Sequence, residues 1–217
     1  MTQEVMTSYY AQLADSYDDI ELMPEREEDL EEVAEQVAIA LANHTVLELG
    51  CGTGFWTEII AQSATSVLAT DINEVMIARA QKKFDSDAKV QFDIADWTDF
   101  SRPAEEKYTA CFAGFMWSHV KREEYKTVLE NIRKTMGAGS LLVLVDDNEM
   151  EEGGLPIART DAEGNTFQPR EQKDGTRVQI LKNYPTDSFL RKRFALVARD
   201  IRVSRNEFFW MLTCVLK

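Results

Sequence analysis

The sequence predicts an α/β fold, a mostly parallel sheet with helices on both faces, and three observations carry that prediction. Residues 46–57, VLELGCGTGFWT, are a leucine-rich strand running into three alternate glycines and then into a helix. Apolar strand-like runs and amphipathic helical runs then alternate through about residue 145. Three successive strands each end in a glycine or acidic position, which suits a ligand lying across the tips of a parallel sheet.

Taken in order, residues 5–16 suit a short helix, and the acidic run 24–36, PEREEDLEEVAEQ, opens an amphipathic one whose apolar spacing continues through Leu30, Val33, Val37 and Leu41. After the first strand and its glycines comes a helix over 55–64, then a short strand over 66–70 ending at Asp71. Asn73 suits the cap of a helix over 74–84. A third strand over 89–92 leads into the acidic segment 93–96, and a fourth spans 108–115. The helix 121–136 aligns Tyr125, Val128, Leu129, Ile132 and Met136 on one face, and Gly137 and Gly139 stop it before a fifth strand over 140–145. From about 147 to 185 the pattern breaks into a polar β-hairpin insertion with a type I′ signal at Asp174-Gly175. A helix over 186–195 follows, then strands over 200–204 and 207–216 joined at Arg205-Asn206.

Glycine spacing narrows the ligand. A dinucleotide fingerprint, G-x-G-x-x-G, would require glycine at position 55, where this chain has Phe55. The chain reads Glu48-x-Gly50-x-Gly52-x-Gly54 instead, and that motif resembles motif I of the class I S-adenosylmethionine-dependent methyltransferases. The segments YYAQLADSYDDI, FAGFMWSHV and LKNYPTDSFL extend the likeness toward bacterial small-molecule methyltransferases. The resemblance implies a Rossmann-like sheet of seven strands in the order 3-2-1-4-5-7-6 with the last strand antiparallel, one domain over residues 1–217, and a helical cap over about 1–42. It also implies a cofactor, S-adenosyl-L-methionine, leaving as S-adenosyl-L-homocysteine.

Candidate contacts follow. Asp71, about twenty residues beyond the first glycine, suits the ribose hydroxyls, with a helix cap or solvated acid as the other reading. By resemblance Asp96 meets the adenine amino group and the Trp97 backbone a ring nitrogen. Thr53, Ile72, Met76 and Phe115 join Glu48 and the glycines as cofactor contacts. Relatives carry an arginine in the N-terminal motif where this chain has Gln12 or Leu13, which leaves Tyr10 and Tyr17 as cofactor candidates or as packing residues.

An activated sulfonium methyl asks the protein for little beyond in-line positioning and exclusion of water. His119, at the fourth strand's exit, is either the general base or a capping residue; an acceptor carboxylate or phosphonate oxygen would need no base. Trp117 belongs to the acceptor wall or to the core. Arg159, Arg170, Arg177 and Lys182 bring cations to the insertion, either as a clamp for an anionic acceptor or as solvated charges; in the second case the insertion is a lid that excludes water through Leu155, Ile157, Phe167 and Ile180. A non-catalytic cofactor-binding partner protein and, against Phe55, a nucleotide-dependent oxidoreductase are the alternatives.

Composition sets the remaining bounds. The 217 residues are 44% hydrophobic and 29% charged, ample for one α/β core. The 24 basic and 38 acidic residues give a net charge of −14, which repels polyanions, so nucleic acid is not the expected partner. No run is long enough to span a membrane and no secretory leader opens the chain, so a cytoplasmic protein is expected. Cys51, Cys111 and Cys214 lie in or beside apolar runs and read as buried thiols; with only His44 and His119 there is no metal constellation. The expected partner is a small-molecule acceptor, and nothing in the sequence sets the oligomeric state.

Overall fold

The computed structural model describes residues 3–14, 24–84, 88–96, 108–150 and 154–217. Its centre is β1 (Thr45–Leu49), whose residues Val46 to Leu49 are buried on both faces, as a central parallel strand requires. β1 pairs in parallel with β2 (Ser66–Asp71) on one side and β4 (Ala110–Gly114) on the other. β3 (Val90–Ile94) flanks β2, and β5 (Leu141–Asp147) flanks β4. β10 (Phe209–Leu216) lies antiparallel between β5 and β9 (Ala198–Arg205). The sheet therefore has seven strands in the order β3-β2-β1-β4-β5-β10-β9, the expected arrangement. The order reverses between β1 and β4, and the carboxyl ends on either side of that switch are where an open α/β sheet accepts a ligand.

The helices cover both faces. On one, α2 (Glu27–Ala40) buries Leu30, Val33 and Val37, and α3 (Phe55–Ser63) buries Trp56 and Ile60, against Val67, Val143 and Phe209. On the other, α5 (Tyr125–Met136) and α6 (Asp187–Phe194) pack Leu129, Ile132, Leu190 and Phe194 on Leu47, Leu142 and Trp210. β10 shows the period of two directly: Phe209 and Met211 face the first layer, Trp210 and Leu212 the second. α4 (Glu74–Lys83) is capped as predicted, the Asn73 side chain accepting from the Val75 amide at 3.2 Å. α1 (Gln3–Leu13) sits over the carboxyl ends of β1 and β2. The three cysteines are buried and unpaired, and no helix among the described residues is long and apolar enough to cross a membrane.

The insertion differs from expectation in two respects. It is a three-stranded antiparallel sheet, β6 (Arg159–Thr160), β7 (Thr166–Glu171) and β8 (Arg177–Leu181), because the two-residue β6 pairs with β7 as well. The turn is not type I′. Gly175 alone among its residues has positive φ, +83°, its amide donating to the Gln172 carbonyl while the Gln172 amide donates to Thr176. Lys173, Asp174 and Gly175 thus form a three-residue loop with a left-handed glycine, and the Asp174 carboxylate accepting from the Thr176 amide at 2.8 Å favours it.

Candidate active site

The loop leaving β1 is built by three glycines with three different reasons to be glycine. Gly50, Gly52 and Gly54 all have positive φ, at +70°, +54° and +86°. A Cβ on Gly50 would collide with Met116, and one on Gly54 would press on Ala80 and Phe84, so both serve internal packing. A Cβ on Gly52 would meet nothing within 4 Å and would project into the open cleft. Gly52 is therefore the position at which a ligand can approach the backbone.

Asp71, at the end of β2, holds that loop. Its Oδ2 accepts from the Gly52 amide at 2.9 Å and its Oδ1 from the Asn73 amide at 2.8 Å, and with four lone-pair directions the carboxylate keeps acceptor capacity beyond its backbone partners. Burial raises its pKa, and the amides of Asn73, Gly52 and Ile72 oppose the rise. Glu48, two residues before Gly50, does not line the cleft as a cofactor contact would. It is buried, accepts from the Thr57 hydroxyl at 2.7 Å, and leaves Oε1 without a partner. Burial pushes it up to about 8, helped by the nearby Asp71 and opposed by the Thr57 hydrogen bond.

The cleft encloses about 820 Å³ including its mouth. Gly50, Gly52, Thr53, Asp71, Ile72, Met76, Phe115 and Tyr10, all expected from sequence, line it together with His119. Phe115 reaches it through a left-handed backbone, φ +57°, strained for a bulky residue and held by its amide donating to the Val145 carbonyl at 2.8 Å. Sequence reasoning missed α1's Met6 and Thr7 and the second role of Asn73, whose Nδ2 donates to the Thr7 carbonyl at 3.1 Å. No local pattern marks that contact. Asp96 does not line the cleft, and Tyr17 and Trp97 lie outside the described residues.

Tyr10 and His119 meet in the cleft wall. The Leu181 carbonyl, which can only accept, lies 2.6 Å from Nδ1 of His119, so Nδ1 carries the proton and Nε2 the lone pair. The Tyr10 hydroxyl, 2.9 Å from Nε2, then donates to it. Burial first and the Lys182 charge second drive the imidazole down to about 3, so His119 is neutral with its lone pair engaged rather than poised as a base. Burial also raises the Tyr10 phenol.

Behind this pair lies a buried ionic cluster. Lys182 donates to Asp146 at 3.0 Å and to Asp147 at 2.6 Å, and Asp147 also pairs with Arg26. Burial opposes both charges, yet the two carboxylates hold Lys182 firmly protonated, and Lys182 with Arg26 keeps Asp147 below its usual range. Two expected acceptor contacts belong elsewhere. Trp117 is buried in the core, stacked on Tyr125 at 4.7 Å, because the turn at 117–119 directs it between α5 and α6. Nor do the three arginines converge as a clamp. Arg159, itself exposed, lies over the Phe167 ring, and Arg177 pairs in register with Glu171 at the hairpin end. Arg170 does not line the cleft either: its guanidinium donates to the Gln168 side chain at 2.8 Å and to the Pro169 carbonyl at 3.1 Å, though it is the one of the three whose charge acts on Tyr9, Tyr10 and His119.

A family profile described as a methyltransferase domain matches residues 46–139, from β1 to the glycines before β5. Trans-aconitate 2-methyltransferase of Delftia acidovorans is 27% identical over 130 residues, 58% of this chain and 47% of that protein. Ubiquinone biosynthesis O-methyltransferase of Hydrogenovibrio crunogenus is 28% identical over 82 residues, 37% of this chain and 34% of that one. The matches thus span less than half the length of these relatives. The DhpI–SAH complex structure superposes with a TM-score of 0.80 at 25% identity, covering 97% of this chain and 95% of that one. The DhpI–SAM–HEP complex gives 0.80 at 24% identity over 99% of both chains.

Proposed function

Because the chain belongs to the class I S-adenosylmethionine-dependent methyltransferases, we propose that it moves the methyl group of S-adenosylmethionine to an oxygen anion of a small-molecule acceptor. The cofactor reading fits the residues present. Gly52 presents a Cβ-free face to the cleft, and Asp71 keeps acceptor capacity there for ribose hydroxyls. The bound cofactor supplies a methyl already activated on sulfur. The chain's own residues then orient the acceptor and keep water out: Met6 and Tyr10 from α1, Phe115 and Met116 from the exit of β4.

One observation carries the acceptor class: the only imidazole on the cleft is neutral, with its Nε2 lone pair taken by Tyr10. A neutral hydroxyl or ammonium acceptor would call for a base poised near neutrality. A carboxylate or phosphonate oxygen carries its lone pair free at pH 7. The Arg170 charge, which acts on Tyr10 and His119 from behind the cleft lining, favours such an anion in a chain that is otherwise strongly acidic.

The test is turnover of carboxylate, phosphonate, phenol and amine panels with labelled cofactor. Carboxylates or phosphonates should be methylated, with a rate flat from about pH 6 to 8 and an acceptor KM that rises for Arg170→Ala but not for Arg159→Ala or Arg177→Ala. Turnover confined to amines, or a rate climbing tenfold per pH unit across that range, refutes the anionic acceptor. Cofactor binding without turnover of any panel counts against catalysis itself.

A further inference from the structure

We propose that the buried Asp146–Lys182 ion pair is a positioning element, locking His119 into a single tautomer and orientation against Tyr10. The lock is assembled from three segments distant in sequence: the end of β5, the exit of β8 and the 117–119 turn. Asp146, fully buried, accepts from the Ser118 amide at 2.7 Å through one oxygen and from Lys182 at 3.0 Å through the other. On the far side of the turn, the Asn183 amide donates to the Ser118 carbonyl at 2.8 Å and the Asn183 side chain to the Val120 carbonyl at 2.9 Å. The backbone is thereby pinned on both sides of His119, and the Leu181 carbonyl, one residue before Lys182, receives the Nδ1 proton.

Charge explains why a lysine sits there. Asp146 and Asp147 are adjacent carboxylates at a strand end, and Lys182, with a side chain 7% exposed, bridges both. Removing Lys182 leaves Asp146 an uncompensated buried charge, and removing the Asp146 charge leaves Lys182 held from Asp147 alone, so the strand exit would shift rather than keep its place. The Leu181 carbonyl would move with it. Without that acceptor nothing dictates which ring nitrogen carries the proton, and Nε2 would no longer present a lone pair to Tyr10. The pair touches neither the cleft nor any reacting atom; it acts through His119.

The catalytic consequence rests on the methyl-transfer reading, but the lock itself can be read without turnover. The chain has two histidines, so nitrogen-15 imidazole NMR of the whole protein, with His44→Gln assigning the second signal, isolates His119. The wild type should show a protonated Nδ1 and a lone-pair Nε2 that does not titrate from pH 7 to about pH 5, below the ordinary histidine range. Asp146→Asn keeps an acceptor for Ser118 while weakening the hold on Lys182. It should give mixed tautomers that titrate within the ordinary range, and a kcat about tenfold or more lower with S-adenosylhomocysteine affinity retained. Asp147→Asn, which leaves the Asp146–Ser118 contact intact, should keep the single tautomer. Should Asp146→Asn not fold, Lys182→Gln takes its place with the same readout. A wild type with mixed or Nε2-protonated imidazole overturns the proposal, as does a folded Asp146→Asn or Lys182→Gln variant that keeps the single tautomer and loses only thermal stability. Loss of methyl transfer in every protein, with the tautomer pattern as expected, would instead count against the function and leave the lock standing.

Discussion

At the scale of single residues, Asp71 does two things that sequence alone cannot separate: it braces the Gly52 and Asn73 amides and retains acceptor capacity toward the cleft. Asp71→Asn should keep one brace, whereas Asp71→Ala removes both and should weaken S-adenosylhomocysteine binding by about 1.5 to 3 kcal/mol, the worth of hydrogen bonds to a charged group. Calorimetry giving equal affinity for parent and Asp71→Ala would reject the ribose role. Gly52→Val adds strain at φ +54° and fills the open face, so binding should fall further while packing is little disturbed. Trp117 makes the opposite case. It looked like a pocket residue because it follows Phe115 and Met116, yet core and pocket demand the same residue types, and only the direction of the turn tells them apart. Trp117→Ala should cost about 3 to 5 kcal/mol of stability in chemical denaturation, with acceptor KM unchanged in whatever fraction remains folded.

At the scale of elements, α1 covers the cleft, and among the described residues its polar contacts with the rest of the chain include Asn73 to the Thr7 carbonyl, Tyr10 to His119 and the Lys173 amide to Gln12. Asn73 also caps α4, so two substitutions separate its roles. Asn73→Ser keeps a capping oxygen but is too short for α1. Its melting temperature should stay near the parent's while α1 amides exchange faster and S-adenosylhomocysteine affinity drops. Asn73→Ala should lose about 0.5 to 2 kcal/mol in addition, the usual worth of a cap. Equal α1 exchange in parent and Asn73→Ser would show that the helix is held by something else. The strands and helices themselves were legible because their signals are local: the glycine loop, the period of two in β10, the apolar face of α5. The third strand of the insertion was not, since two residues, Arg159 and Thr160, carry no period at all.

At the scale of the whole molecule, strand order and the ionic cluster behind the site are matters of long-range pairing. Arg26 meets Asp147 across 121 residues and Lys182 meets Asp146 across 36, separations that no spacing rule reaches. The strand order was available only through resemblance. Stability should also carry the imprint of the buried groups. Glu48, raised to about 8, holds a proton in the folded chain that the unfolded chain releases near 4.5, so it lowers stability as pH rises between those values. His119, lowered to about 3 from 6.5, acts in the other direction and weakens the fold as pH falls through that window. Relative to the parent, Glu48→Gln should therefore gain stability from pH 5 to 8, on the order of a few kcal/mol, in denaturant titrations. A constant difference across that range would mean that Glu48 is ionised in the fold. The central claim, that the cleft at the switch between β1 and β4 is a methyl-donor site, is tested most directly by calorimetric titration of the intact chain with S-adenosylhomocysteine, with NAD as comparison. The account predicts saturable one-to-one binding of S-adenosylhomocysteine, abolished or strongly weakened by Gly52→Val, and no heat from NAD. Binding of NAD instead, or S-adenosylhomocysteine binding that Gly52→Val leaves intact, would contradict it.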